Sequence, residues 1–168
     1  MNRPGGKLQK SIEEALLLEE RFGAACLHDP ESVRLLRRLR EEIRVTDAAM
    51  LQSGVASACA VCAASGGGSC CFREMGEDYG PMELFMNLLL GSKLPQKGDL
   101  PGSCHFVGKN GCKLEARQSF CLNYFCPDLK KSPGRETLLG IQRLIGEQLL
   151  IGWELECVLT RFIKGTVN

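Results

Sequence analysis

Eight of the ten cysteines in this 168-residue chain crowd into one central stretch, at Cys59, Cys62, Cys70, Cys71, Cys104, Cys112, Cys121 and Cys126. They read C-x2-C-x7-C-C, then a long gap, then C-x7-C-x8-C-x4-C. Thiols at that density point either to a disulfide framework or to a thiolate metal site. The start of the chain is charged but runs into polar residues instead of an apolar export segment. A reducing cytosol is therefore the expected setting, and it favours metal over disulfides. Cys59 and Cys62 are the most local ligand signal, because two intervening residues let both sulfurs reach one ion while backbone N–H groups of a loop point at them. Adjacent Cys70 and Cys71 diverge in an extended segment. They suit one ligand to each of two metals, a cluster with several irons, or one ligand and one supporting thiol. Eight thiolates make two sets of four, the number taken by a closed zinc site or a cubane iron–sulfur cluster. The double cysteine sits more easily in a multi-iron cluster than in two independent tetrahedra, which sets iron–sulfur ahead of zinc.

Other chemistry has little support. The chain holds two histidines. His105 follows Cys104, and on a strand its side chain points away from that of its neighbour, so a surface or supporting role is expected. His28 lies at a helix start and is expected to be exposed. There is no Walker A sequence, no G-x-G-x-x-G after a strand, no H-E-x-x-H and no G-x-S-x-G. Cys26 and Cys157 fall on helical stretches away from the cluster and read as small buried hydrophobes.

The elements that must position the thiols form a mainly α fold. An N-terminal helical hairpin (1–53) and a long C-terminal helix (132–168) flank a small irregular cysteine-rich region (54–131) with a short β-hairpin, the whole making one compact unit. Ser11 and Glu14 match a capping box for the first helix. Asp29 suits the N-cap, and Pro30 the first position, of a second helix reaching about Gln52. The short break predicts antiparallel neighbours. Gly54 to Lys131 is rich in small residues, and 65–69 is of low complexity. Pro81 opens a short helix to Gly91. Asn110-Gly111 is a hairpin-turn signal that would place Cys104 and Cys112 on two arms. From Arg135 to Lys164 an apolar stripe runs through Leu138, Ile141, Ile145, Leu155 and Leu159. Its Gly140, Gly146 and Gly152 are expected to allow close helix approach. So long a helix packs on the N-terminal pair or on a second subunit, which makes a homodimer or a protein partner an expectation.

Composition narrows the field further. A net charge of +1 and a pI near 7.5 argue against nucleic acid or an anionic membrane as partner. Aromatic residues make up 6%, too few for base-stacking platforms. The arginines of the second helix (Arg34, Arg37, Arg38, Arg40, Arg44) have Glu31, Glu41 and Glu42 within pairing reach and read as a solvated face. The apolar run 84–90 is too short to span a bilayer.

Cys59-x2-Cys62, Cys70-Cys71-Phe72, Cys104-His105-Phe106-Val107, Asn110-Gly111-Cys112, Arg117 and Cys121-x4-Cys126 together resemble the YkgJ-type cysteine-cluster family, over roughly residues 59–128. All eight central cysteines have counterparts there. The spacer before Cys70 is longer than the family's, and Gln118 stands where the family has proline. The resemblance implies zinc or iron chelation by those eight cysteines. One much longer relative with a similar cluster is a protein methylase, so a cluster-dependent enzyme, methyltransferase-like or oxidoreductase, is one alternative. A helical adaptor stapled by structural zinc is the other.

Overall fold

The computed structural model describes residues 6–65, 70–131 and 133–167; the glycines of the low-complexity stretch lie outside them. Helix α1 (Gly6–Leu18) runs through a π-helical turn (Glu19–Gly23) into α2 (Ala24–Cys26). Ser11 does not cap it. The helix is already formed at Gly6, and Ser11 is buried inside it beside Leu8 and Ile12. Leu8 extends the apolar stripe one turn further upstream, and burying it outweighs the local capping signal.

Helix α3 (Pro30–Gln52) starts as expected: the Asp29 carboxylate accepts the Ser32 N–H at 2.8 Å, and Pro30 occupies the first turn. It ends at Ser53 and Gly54, whose φ of +78° turns the chain sharply into α4 (Val55–Ala64). Helix α5 (Pro81–Leu89) is opened by Pro81, with the Gly80 N–H donating to the Glu83 carboxylate at 2.9 Å. A two-stranded antiparallel hairpin follows, β1 (Val107–Gly108) and β2 (Gly111–Cys112), with Val107 opposite Cys112. Two short helices, α6 (Ser119–Asn123) and α7 (Pro127–Lys131), lead to α8 (Arg135–Val167), 33 residues long.

The two N-terminal helices do not pair with each other as expected; each finds its main packing partner far away in sequence. Helix α3 lies along α8, while α1 lies on α5. An ion pair from Arg161 to Glu31, linking the end of α8 to the start of α3, makes the long pair antiparallel. Gly140, Gly146 and Gly152 play no part in that contact. A Cβ built on any of them meets nothing within 4 Å. Gly152 still lies on the buried side, four residues after Gln148 and three before Leu155, and Gly140 lines an open groove with Ala49 and Gln52 of α3.

Two hydrophobic clusters result. The larger joins α1, α3, α5 and the second half of α8, with Phe85, Phe106, Leu84 and Leu155 fully buried. The smaller joins the α3–α4 corner, α6, α7 and the first half of α8 around Leu122, Ile141 and Ile145. Among the described residues no single helix is long and apolar enough to cross a membrane.

Candidate metal centre

Cys59 and Cys62 are not in a loop. They lie three residues apart on α4, on one helical face, Cys59 half-buried and Cys62 exposed. The helix packs on the hairpin, and its buried residues, Val55 and Ala63, lie four residues either side of Cys59. Its amides serve the helix, so the N–H groups expected at these sulfurs are found elsewhere. The Phe106 N–H favours the thiolate of Cys104 and the Leu114 N–H that of Cys112, while the Val107 N–H donates to the Cys104 carbonyl at 3.1 Å and the Lys113 N–H to the Phe106 carbonyl at 2.9 Å. The Phe106 and Leu114 donors stabilise negative charge on sulfur, as backbone N–H bonds do around ligating thiolates.

The hairpin is displaced by one residue from its sequence signal. Lys109 and Asn110 form the two-residue loop, and the residue with positive φ is Gly111, at +105°. Cys104 therefore lies before β1 and not on it. Its own N–H donates to the Cys71 carbonyl at 2.7 Å, next to a bridge between Phe72 and Ser103. That pairing holds the double cysteine against the hairpin.

The eight thiols fall into two neighbourhoods. Cys59 feels the charge of Cys70, Cys126 and Cys62, while Cys71 feels that of Cys104, Cys121 and Cys112. The hydrophobic clusters divide them in the same way: Cys59 and Cys126 lie against the smaller, Cys71, Cys104 and Cys121 with the larger. Cys71 thus belongs with the second group, while Cys70 lies beside Cys59 and also within reach of Cys121. Cys70 and Cys71 touch: the Cys70 thiol donates to the Cys71 sulfur, which pushes the Cys70 pKa up and brings that of Cys71 down. Burial, with neighbouring thiols adding to it, raises Cys59, Cys104 and Cys121 to about 11. Burial also raises Cys112, although part of its surface is open to solvent. All ten cysteines are free thiols. No three His, Cys, Asp or Glu side chains among the described residues converge closely enough to hold one ion. The sulfurs are near neighbours, not a closed cage.

Two further residues act on the thiols, Arg117 on both neighbourhoods and Tyr79 on the second. Arg117, its side chain 17% exposed, pairs with Asp47 of α3, and its charge favours the thiolate form of Cys59 on one side and of Cys112 and Cys121 on the other. Tyr79, fully buried, donates its hydroxyl to the Cys121 sulfur and accepts the Gln118 N–H at 3.2 Å. Burial pushes its pKa far above the usual phenol range.

No family model, no curated protein and no solved structure matches this chain. The site is thus read from its own geometry.

The histidines stand apart from the thiols. His105 is buried, not at the surface. Its Nε2–H donates to the Pro95 carbonyl at 2.7 Å, and the ring meets Phe106 edge-on. His28 is exposed, as expected, with Nδ1–H donating to the Ala24 carbonyl at 2.7 Å. Cys26 is fully buried, whereas Cys157 is only half-buried. Tyr79 is the functional neighbour that sequence reading passed over. Nothing in its local sequence marks it, because its contacts come from residues about 25 to 42 positions away.

Proposed function

We propose that this chain is a metal-binding protein with two tetrathiolate sites. Cys59, Cys62, Cys70 and Cys126 would hold one, and Cys71, Cys104, Cys112 and Cys121 the other. The observation that carries this is the grouping of Cys71 with Cys104, Cys112 and Cys121, apart from Cys59, Cys62 and Cys126, with Cys70 beside Cys59 completing the other four. It supports separate sites over one shared cluster, and it removes the reason for ranking iron–sulfur above zinc. Four thiolates are the closed donor set of either. A zinc ion would staple the fold, whereas a four-iron cluster would also exchange electrons. Backbone N–H donors at Cys104 and Cys112, with Arg117 near both sets, supply the positive potential that thiolates at either site need. The likeness to the YkgJ-type family agrees with this reading. Thiolate ligands must stay reduced, so this reading fits a reducing compartment such as the cytoplasm.

Anaerobic purification followed by metal analysis and a visible spectrum tests the proposal. Two zinc ions, or eight irons with matching sulfide and broad absorption near the blue end, support it. A colourless, metal-free protein with eight titratable thiols in this region overturns it.

A further inference from the structure

Helix α8 carries two apolar seams. One faces the body of the protein through Leu138, Ile141, Ile145 and Leu155, all buried. The other lies on the opposite side, at Leu139, Arg143, Gly146, Leu150 and Trp153. These positions alternate four and three apart, the spacing of a helix–helix seam. Leu139 is 46% exposed, Leu150 47% and Trp153, the chain's sole tryptophan, 63%. Arg143 and Glu147 are exposed in the same strip.

We infer that this seam is covered by the same seam of a second copy, the two α8 helices crossing antiparallel about a two-fold axis between Arg143 and Gly146. The charges choose this occupant and this register. When Leu139 of each chain faces Leu150 of the other, Arg143 falls opposite Gly146 and reaches the Glu147 carboxylate beside it. Two-fold symmetry makes every such pair twice. Gly146 gives the arginine stem room to cross, since nothing lies within 4 Å of where its Cβ would be. Trp153 covers the first turn of the other helix at Arg135 and Glu136, where the guanidinium can stack on the indole. The inference does not depend on metal binding.

Sedimentation of the full chain under reducing conditions tests it. The wild type is expected to be a dimer at about 50 µM, as for a modest specific interface. Leu150→Glu is expected to give a monomer with unchanged helical circular dichroism and a red-shifted Trp153 emission. Arg143→Glu sets like charges against each other and is expected to weaken dimerisation by about ten-fold or more. Adding Glu147→Arg to it restores the dimer, a rescue that an ion pair within one helix would not transmit to oligomeric state. Should Leu150→Glu fail to fold, the charge-reversal pair decides alone. A monomeric wild type overturns the inference, whether the seam then proves bare or covered by another protein. So does a dimer unmoved by Arg143→Glu.

Discussion

Asn87 is the residue whose loss should reach furthest. It is fully buried on α5. Its Nδ2 donates to the carbonyls of Glu83 at 3.0 Å and Ala116 at 2.9 Å, and its Oδ1 accepts the Ala116 N–H at 2.9 Å and the Ser92 hydroxyl at 3.3 Å. Asn87→Ala removes these bonds and strands both backbone groups of Ala116. An orphaned buried donor or acceptor costs about 1–3 kcal/mol, so two of them predict a loss of about 3 kcal/mol. With an m-value of about 2 kcal/mol/M, the urea midpoint falls by about 1.5 M. Asn87→Asp adds a sign. A carboxylate there points one oxygen at two carbonyls, and burial raises its pKa in the folded state. The folded form then prefers the protonated acid. The penalty is smallest below the unfolded pKa of about 3.9 and grows as pH rises through the higher folded value. Urea unfolding followed by circular dichroism from pH 4 to 8 reads both variants. An Asn87→Ala midpoint within about 0.3 M of wild type, or an Asn87→Asp penalty flat with pH, refutes the reasoning.

Removing the N-cap with Asp29→Ala should cost about 1 kcal/mol. The Ser32 N–H holds the Asp29 carboxyl below its usual pKa, so this contribution is present above the unfolded value and fades as pH falls through the lower folded one; thermal melts of both proteins at pH 7 and pH 3 should show the gap closing. Gly111→Ala meets no atom within 4 Å but must hold φ at +105°, so strain alone should cost about 1–2 kcal/mol in a denaturation midpoint. Cys59→Ser and Cys121→Ser each strike a different set, so each should lower bound metal by about half, and together they should abolish it; a single variant that empties the protein would mean one shared site.

The helices were legible where period and punctuation agree. Asp29-Pro30 marks the start of α3, Pro81 opens α5, and the stripe from Leu138 to Leu159 gives α8, because burial on one face and local capping act on the same residues. Helix α4 was masked by its own cysteines. Read as ligands, they hid an alanine-rich run, Val55–Ala64, with strong helix propensity. The hairpin slipped by one residue because its left-handed position falls on Gly111, leaving Asn110 with an ordinary negative φ. Of the candidate site, the crowding of eight cysteines could be read from the sequence, but not which of them are neighbours. That Cys126 joins Cys59 while Cys121, five residues earlier, joins Cys104 depends on α6 turning between the two hydrophobic clusters, which is tertiary packing and leaves no periodic trace.

Beyond α4, the segments that carry the central cysteines hold little structure of their own: two-residue strands, five-residue helices and loops. Their placement must come from the long helices, and the anchors converge on one place. Asn87 of α5 grips Ala116, Asp47 of α3 pairs with Arg117, and Tyr79 takes the N–H of Gln118. The Gln118 side chain adds a bond to the Met75 carbonyl at 3.1 Å. A proline at that position could make neither Gln118 contact. Residues 116–118 lie between Cys112 on the hairpin and Cys121 on α6, so three adjacent residues fix where the hairpin and the short helices meet. Arg117, the charge that favours thiolates in both sets, is the middle of the three. The helical frame therefore acts on both thiol neighbourhoods through this short run of backbone as well as through α4, which follows α3 directly, and a loosened anchor at 116–118 should disturb both sets together through Arg117 while a lost cysteine disturbs one.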